Sequence, residues 1–222
     1  MAKELIVANR PKSGVSEAIK TIRTNLQFSS VDEKVKKILV TSSFPGEGKS
    51  FISANLAVSF AQTGAKVLII DCDMRKGRQH NIFELADEIG LSNLLITNLK
   101  DYKKYINKTE VENLFVLSRG IVPPNPSELL ASEKNKELIN ILEKEYDIII
   151  FDGPPVGGLT DSVVMSNLTD KIVIVSAYKN TPIELLEKTT KSLSNFKDKI
   201  AGVILNKVPS SKNHYYNNYY SN

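Results

Sequence analysis

The sequence predicts an α/β fold in three layers, a mostly parallel central sheet between two layers of helices, built as one domain over residues 1–207. Two observations predict it. Four runs, at residues 38–40, 67–70, 148–151 and 172–175, are continuously aliphatic and β-branched, with a shorter fifth at 203–205. Continuous rather than alternating apolar character marks strands buried on both faces, as in a parallel sheet covered by helices. Helix-length segments separate the runs, and strands alternating with helices make a doubly wound domain.

In chain order, residues 1–35 form a polar N-terminal segment in which Ser13-Gly14 precede a helix at 16–28. Glu17, Lys20 and Arg23 recur every third residue and share one side of it. Spacing alone leaves open whether that side is a solvated face or a contact surface. After the 38–40 strand, residues 50–63 are apolar at Phe51, Ile52, Leu56, Val58 and Phe60, and Gly64 provides a helix stop. The 67–70 strand follows. Ile121-Val-Pro-Pro-Asn-Pro126 is a stiff, extended loop, and a helix at 127–144 leads to the 148–151 strand. Beyond the 172–175 strand, Thr181-Pro182 form the cap and first turn of a helix at 182–196.

Bulk properties narrow the class. The 222 residues are 41% hydrophobic and 24% charged, which suits one soluble domain with a sizeable core. The formal charge of +4 comes from scattered Lys and Arg, which argues against a nucleic-acid partner. Cys72 is the only cysteine, so an internal disulfide is excluded and a reducing cytosol fits. The first apolar run is too short for a signal peptide, and no run approaches the roughly 18 apolar residues that cross a bilayer. A cytoplasmic protein is expected, with any membrane association made through a partner.

The chemistry concentrates at strand ends. The first strand runs into Ser43-Phe-Pro-Gly-Glu-Gly-Lys-Ser50 and then a helix. This is the P-loop pattern at all but its first position, where Ser43 replaces Gly. Gly46 and Gly48 let successive N–H groups converge on phosphate oxygens, and the helix adds the positive end of its dipole. Lys49 is expected to reach the β- and γ-phosphates, and Ser50 to offer its hydroxyl to Mg²⁺. The expected nucleotide-binding set is Ser43, Pro45, Gly46, Glu47, Gly48, Lys49, Ser50 and Phe51, with ATP and Mg²⁺ as ligands. The fold is thereby specified as a P-loop NTPase.

Two further strands end in acids. The 148–151 run leads into Asp152-Gly-Pro-Pro155, as a Walker B strand does, and its carboxylate would hold Mg²⁺. The 67–70 run leads into Asp71-Cys-Asp-Met-Arg75. Asp71 and Asp73 are two apart, so in extended chain they point the same way, toward the crevice at the carboxyl edge of the sheet. Cys72 points oppositely and reads as a packed thiol. At the other extreme, residues 208–222 are almost all Ser, Asn, Lys, His and Tyr, with four of the eight tyrosines at Tyr215, Tyr216, Tyr219 and Tyr220. Such a tail cannot bury enough surface to offset its ordering entropy and is expected to be mobile. Beside a phosphate-handling site it reads as a substrate. The other tyrosines (Tyr102, Tyr105, Tyr146, Tyr178) read as structural.

Together these motifs resemble the bacterial tyrosine kinases of capsule and exopolysaccharide biosynthesis, specifically the cytoplasmic catalytic protein of the Gram-positive two-polypeptide type. The resemblance covers the whole chain and rests on the P-loop, the Asp71-x-Asp73-x-Arg75 motif, Asp152 and the tyrosine tail. Pro124-Asn-Pro-Ser-Glu-Leu-Leu130 also looks like a family segment. Glu17-x-x-Lys20-x-x-Arg23 resembles the family's subunit-contact motif, with Lys where an Arg is usual, which keeps the charge but loses the bidentate fork. The related deviant-Walker partitioning ATPases carry a signature lysine at the second P-loop position, where this chain has Phe44. The resemblance implies Mg²⁺/ATP-dependent tyrosine phosphorylation, in trans within a ring of copies. It puts Asp71 and Asp73 together at the tyrosine hydroxyl; Asp71 is taken here for the hydroxyl and Asp73 with Asp152 for the metal, a division that the sequence leaves open, with Arg75 as a neutralising charge and Asn206-Lys207 near adenine. It further implies a membrane adaptor that recruits the kinase to the inner face of the membrane, and a cognate tyrosine phosphatase.

Overall fold

The computed structural model describes residues 2–30, 34–86, 89–157 and 160–209. Helices α1 (Ile6–Asn9) and α2 (Gly14–Gln27) lead into β1 (Lys37–Ser42) and α3 (Lys49–Ala61). Strand β2 (Val67–Asp71) is followed by α4 (Gln79–Ile82), α5 (Leu91–Ile96), β3 (Asn107–Lys108) and β4 (Leu114–Leu117). Helices α6 (Pro126–Ala131) and α7 (Glu133–Glu145) precede β5 (Ile148–Asp152) and α8 (Asp161–Ser166). Strand β6 (Lys171–Ala177), α9 (Ile183–Ser192) and β7 (Ile200–Asn206) complete the domain.

The sheet order is β3-β4-β2-β5-β1-β6-β7, parallel throughout except for the β3–β4 pair. The continuous apolar runs are explained by two cores. Ile38, Val40, Val67, Ile69, Ile148, Ile150, Val173 and Val175 face one, under α2 and α3. Leu39, Leu68, Ile70, Ile149, Phe151, Ile172 and Ile174 face the other, under α5, α7 and α8. Every residue of each run is therefore buried, on alternate sides. Strand β7 is the exception. It is an edge strand, and Val203 and Leu205 on it are exposed.

Three features depart from the sequence reading. The helix expected at 127–144 is two helices, because Ser132 is extended (φ −64°, ψ 149°). Its hydroxyl accepts from Asn135 N at 3.2 Å, and Asn135 Nδ2 returns to Leu130 O at 2.7 Å, so each helix end gains a side-chain partner. The 182–196 helix opens one residue later, with Pro182 as its extended cap, and stops at Ser192; a 3₁₀ segment at Ser194–Lys199 follows. Strands β3 and β4 were not expected, being two and four residues long. No helix among the described residues is long and apolar enough to cross a membrane. The four tail tyrosines lie outside the described residues.

Candidate functional site

All the sequence-predicted chemistry except the tail and the N-terminal triplet gathers at the carboxyl edge of the sheet. Strand β1 delivers the chain into the P-loop, whose Gly46 (φ 85°) and Gly48 (φ 97°) are left-handed, a region that glycine enters without steric cost. A side chain at Gly48 would also strike Asn206, 2.2 Å from the position of its Cβ. Helix α3 then starts at Lys49, with its N–H groups facing the loop.

The loop is held from three sides. The Glu47 carboxylate is turned inward and accepts from Phe44 N (2.7 Å), Ala177 N (3.3 Å) and the Thr181 hydroxyl. Glu47 therefore braces the loop through its side chain and offers only its backbone to a phosphate. Asn206 Nδ2 donates to Glu47 O at 2.8 Å, and Lys207 Nζ donates to Gly46 O at 2.6 Å. The Ser43 hydroxyl is buried behind the loop with no hydrogen-bond partner among the described residues. Phe44, at the position of the partitioning-ATPase lysine, is 60% exposed.

Lys49 is the electrostatic centre. Its ammonium lies 3.3 Å from Ser50 Oγ, 3.0 Å from Asp73 Oδ2 and 3.6 Å from Asp152 Oδ1. Burial alone would lower its pKa; the carboxylates of Asp152, Asp73 and Asp71 outweigh that and hold it above its ordinary value. These three oxygens are the ones the sequence assigned to Mg²⁺. They already converge on a single cation, and two carboxylates with a hydroxyl are hard donors of the kind Mg²⁺ accepts beside phosphate and water. The residues present fit the metal.

Strands β2 and β5 are paired with Asp71 opposite Asp152, which brings the two acidic ends together. The extended-chain premise for Asp71 and Asp73 holds only to Asp71. There β2 ends, and residues 74–76 turn. The Asp71 carboxylate folds back to accept from Asp73 N (3.2 Å) and Gln79 N (3.0 Å), and a Cβ on Gly77 would lie 2.5 Å from it. Asp71 is fully buried, and burial first, then the charge of Asp152, push its carboxyl well above the usual carboxylate range. Asp73, by contrast, lines a cleft of about 740 Å³ beside the P-loop, together with Pro45, Gly46, Ser50 and Phe51. Lys76, Arg78 and Lys207 add positive charge to its rim, as does Arg75, whose Nε lies 3.5 Å from Asp161 Oδ2. Asn206 also lines this cleft. Burial, and next the charge of Asp71, raise the Cys72 thiol far from reactivity.

Two residues that the sequence did not flag complete the cluster. Ser53, one turn into α3, donates to Asp152 Oδ1 at 3.2 Å, and Gln79 Nε2 donates to Asp152 Oδ2 at 2.8 Å. Ser53 lies four residues after Lys49, so helical spacing could have found it. Gln79 lies in a polar stretch with no periodic signal.

The N-terminal triplet lies elsewhere, on α2. Lys20 pairs with Glu17 at 2.7 Å and donates to Pro11 O at 2.8 Å, while Arg23 donates to Ser59 O on α3 at 2.8 Å. Tyr102 and Tyr146 are buried, and burial foremost pushes both phenols up to about 12.

Comparison with known proteins agrees with this geometry. Residues 35–206 match a family model described as an AAA domain. The putative tyrosine-protein kinase CapB of Staphylococcus aureus is 44% identical over 97% of this chain and 94% of its own length. The tyrosine-protein kinase YwqD of Bacillus subtilis is 40% identical over 99% and 92%. The crystal structure of the chimerical protein CapA2B2 superposes with a TM-score of 0.89 at 42% identity, covering 95% of this chain and 92% of that one.

Proposed function

The chain belongs to the bacterial tyrosine kinases, and from that premise we propose that it transfers the γ-phosphoryl group of ATP to Tyr215, Tyr216, Tyr219 and Tyr220 of a neighbouring copy, thereby regulating capsular polysaccharide synthesis and export. The observation that carries the reading is the convergence of Ser50, Asp73 and Asp152 on the Lys49 ammonium beside a P-loop. In this reading the P-loop backbone and Lys49 bind the phosphates, while Ser50, Asp73 and Asp152 hold Mg²⁺. When bound, the metal would supply neutralisation of the negative charge on the phosphates. Asn206 and Lys207, at the cleft edge, flank the adenine, and Arg75 offsets negative charge at the rim.

Proton transfer decides what the acids do. A phenol near pKa 10 and a carboxylate near 3.9 are mismatched by roughly 6 units, about 8 kcal/mol for complete transfer. A loose phosphoryl-transfer transition state needs little early deprotonation, so a carboxylate can orient the hydroxyl and accept its proton late. We assign that task to Asp71, whose raised pKa narrows the mismatch. To meet a phenol it must be uncovered by movement of residues 73–78. A second reading has a specific observation behind it: of the two acids only Asp73 lines the cleft. In that reading Asp73 takes the hydroxyl and Asp71 anchors the loop.

Residues 208–222 span at most roughly 50 Å extended, enough to reach a neighbouring site. Glu17, Lys20 and Arg23 form the subunit contact of the ring. A membrane adaptor brings the kinase to the inner face of the cell membrane and activates it, and a cognate phosphatase resets the tail. Incubating the purified chain with ATP and Mg²⁺, with and without the adaptor's cytoplasmic segment, is expected to give phosphotyrosine at the four tail positions by mass spectrometry. ATP turnover without phosphotyrosine would instead mark a nucleotide-controlled scaffold.

Phosphorylation also bears on assembly. Four phosphates add about −6 to −8 charges to a chain of formal charge +4. The sign of each copy reverses, and repulsion develops where tails converge. The unphosphorylated or kinase-dead chain is therefore expected to elute as the larger species on sizing with ATP and Mg²⁺, and the phosphorylated chain as the smaller. Identical masses would refute the switch.

A further inference from the structure

We propose that Gln79 is a positioning residue for the metal-binding carboxylate Asp152, a role that rests on the kinase reading above and extends it. Gln79 is fully buried at the start of α4, eight residues beyond the end of β2. Its backbone N–H donates to Asp71 Oδ2 at 3.0 Å. Its side-chain Nε2 donates to Asp152 Oδ2 at 2.8 Å and to Ser50 O at 3.1 Å. One residue thus ties together the ends of β2 and β5 and the first turn of α3.

The chemistry requires an amide here. Asp71, Asp73 and Asp152 are all buried, so their lone pairs need donors, and a second cation beside Lys49 would compete with a metal. A neutral amide supplies two N–H groups and no charge. Its orientation is fixed, because a flipped amide would set Oε1 against two acceptors; as it stands, Oε1 has no hydrogen-bond partner among the described residues. Gln79 occupies Oδ2 of Asp152, which leaves Oδ1 facing the cation point with Ser53 as its neutral donor among the described residues. Second-shell hydrogen bonds of this kind set the orientation of a ligating carboxylate.

The test is a nucleotide-binding measurement on the full chain, using a fluorescent ATP analogue with Mg²⁺ titrated in, and again in EDTA. In Gln79→Met the Mg²⁺ concentration for half-maximal tightening is expected to rise about 10- to 100-fold, the usual cost of losing such a partner. Affinity in EDTA, made by the P-loop backbone, should stay within about twofold, since no phosphate contact is lost. Gln79→Leu likewise removes the donor without adding charge, and carries the same expectation should the Met variant not fold. An unchanged Mg²⁺ dependence in a folded variant, or an equal loss with and without metal, overturns the proposal. The readout is independent of tyrosine labelling: a chain that binds Mg²⁺–nucleotide but never forms phosphotyrosine would refute the kinase reading and leave this one standing.

Discussion

Lys49→Met is expected to reduce tail phosphotyrosine by at least about 10²- to 10³-fold, the scale on which a single electrostatic donor at a reacting centre acts. The side chain is the one positive charge shared by Asp73 and Asp152, at 3.0 and 3.6 Å. Methionine keeps the unbranched shape and removes the ammonium, its charge and its hydrogen-bond donors together. The loss also has a folding consequence with a definite sign. Removing one partner of a buried ion pair costs about 3–5 kcal/mol, because a buried charge is left uncompensated. In this cluster the acids can relieve that cost by taking up protons, and Asp71 is already held well above the usual range by burial and by Asp152. A carboxyl whose folded pKa is raised binds more protons folded than unfolded, so its contribution to stability falls as pH rises above the unfolded value. The variant should therefore melt lower than the parent at pH 8, and the deficit should shrink toward pH 5. Circular dichroism melts at the two pH values check this. A folded, normally labelled variant would remove Lys49 from the mechanism.

How far the site could be read in advance follows from where its residues stand relative to regular elements. Lys49, Ser50, Asp71 and Asp152 stand at the ends of continuous apolar strands or at the first turn of a helix, and strand ends are fixed by burial of the run before them. The P-loop glycines announce their left-handed backbone. Past Asp71 the strand period stops, and the loop that folds Gln79 back between two acids is dictated by packing on Asp71 and Gly77, which no local pattern encodes. Glu47 gave a similar difficulty. Its place in the P-loop suggests a phosphate neighbour, yet its side chain answers to Ala177 and Thr181, about 130 residues away. Strand β4 escaped notice because its four residues lie among turns, next to Asn113 in a left-handed conformation. Arg23 illustrates the limit of helical spacing. Periodicity put it on one side with Glu17 and Lys20, but spacing cannot say that α3 would lie within reach of its guanidinium.

The two acids of the Asp71-x-Asp73 pair should separate cleanly when each is changed to Asn, which keeps size, removes the charge and replaces one acceptor oxygen by an N–H donor. With Asp71 at the hydroxyl, Asp71→Asn should slow single-turnover phosphoryl transfer by about 10²- to 10⁴-fold, the range for a positioned acid–base group. Its Mg²⁺-dependent nucleotide affinity should be close to that of the parent, since Asp71 does not line the cleft. Asp73→Asn should do the reverse in the first instance. Removing a ligand from the cation point weakens Mg²⁺-linked binding, and the lost ion pair with Lys49 frees that ammonium. If Asp73 takes the hydroxyl instead, the pattern inverts: Asp73→Asn lowers transfer at saturating Mg²⁺, and Asp71→Asn lowers the melting temperature through loss of the anchored 71–79 loop. Measuring transfer rate and Mg²⁺-linked affinity on the same two proteins distinguishes the cases, because the geometry gives each carboxylate a different set of contacts to lose. Among the described residues, the Asp71 carboxylate accepts its hydrogen bonds from its own loop, at Asp73 N and Gln79 N. A rate defect in Asp71→Asn with normal melting and normal metal linkage could therefore arise only if that loop opens to expose Asp71 to the phenol.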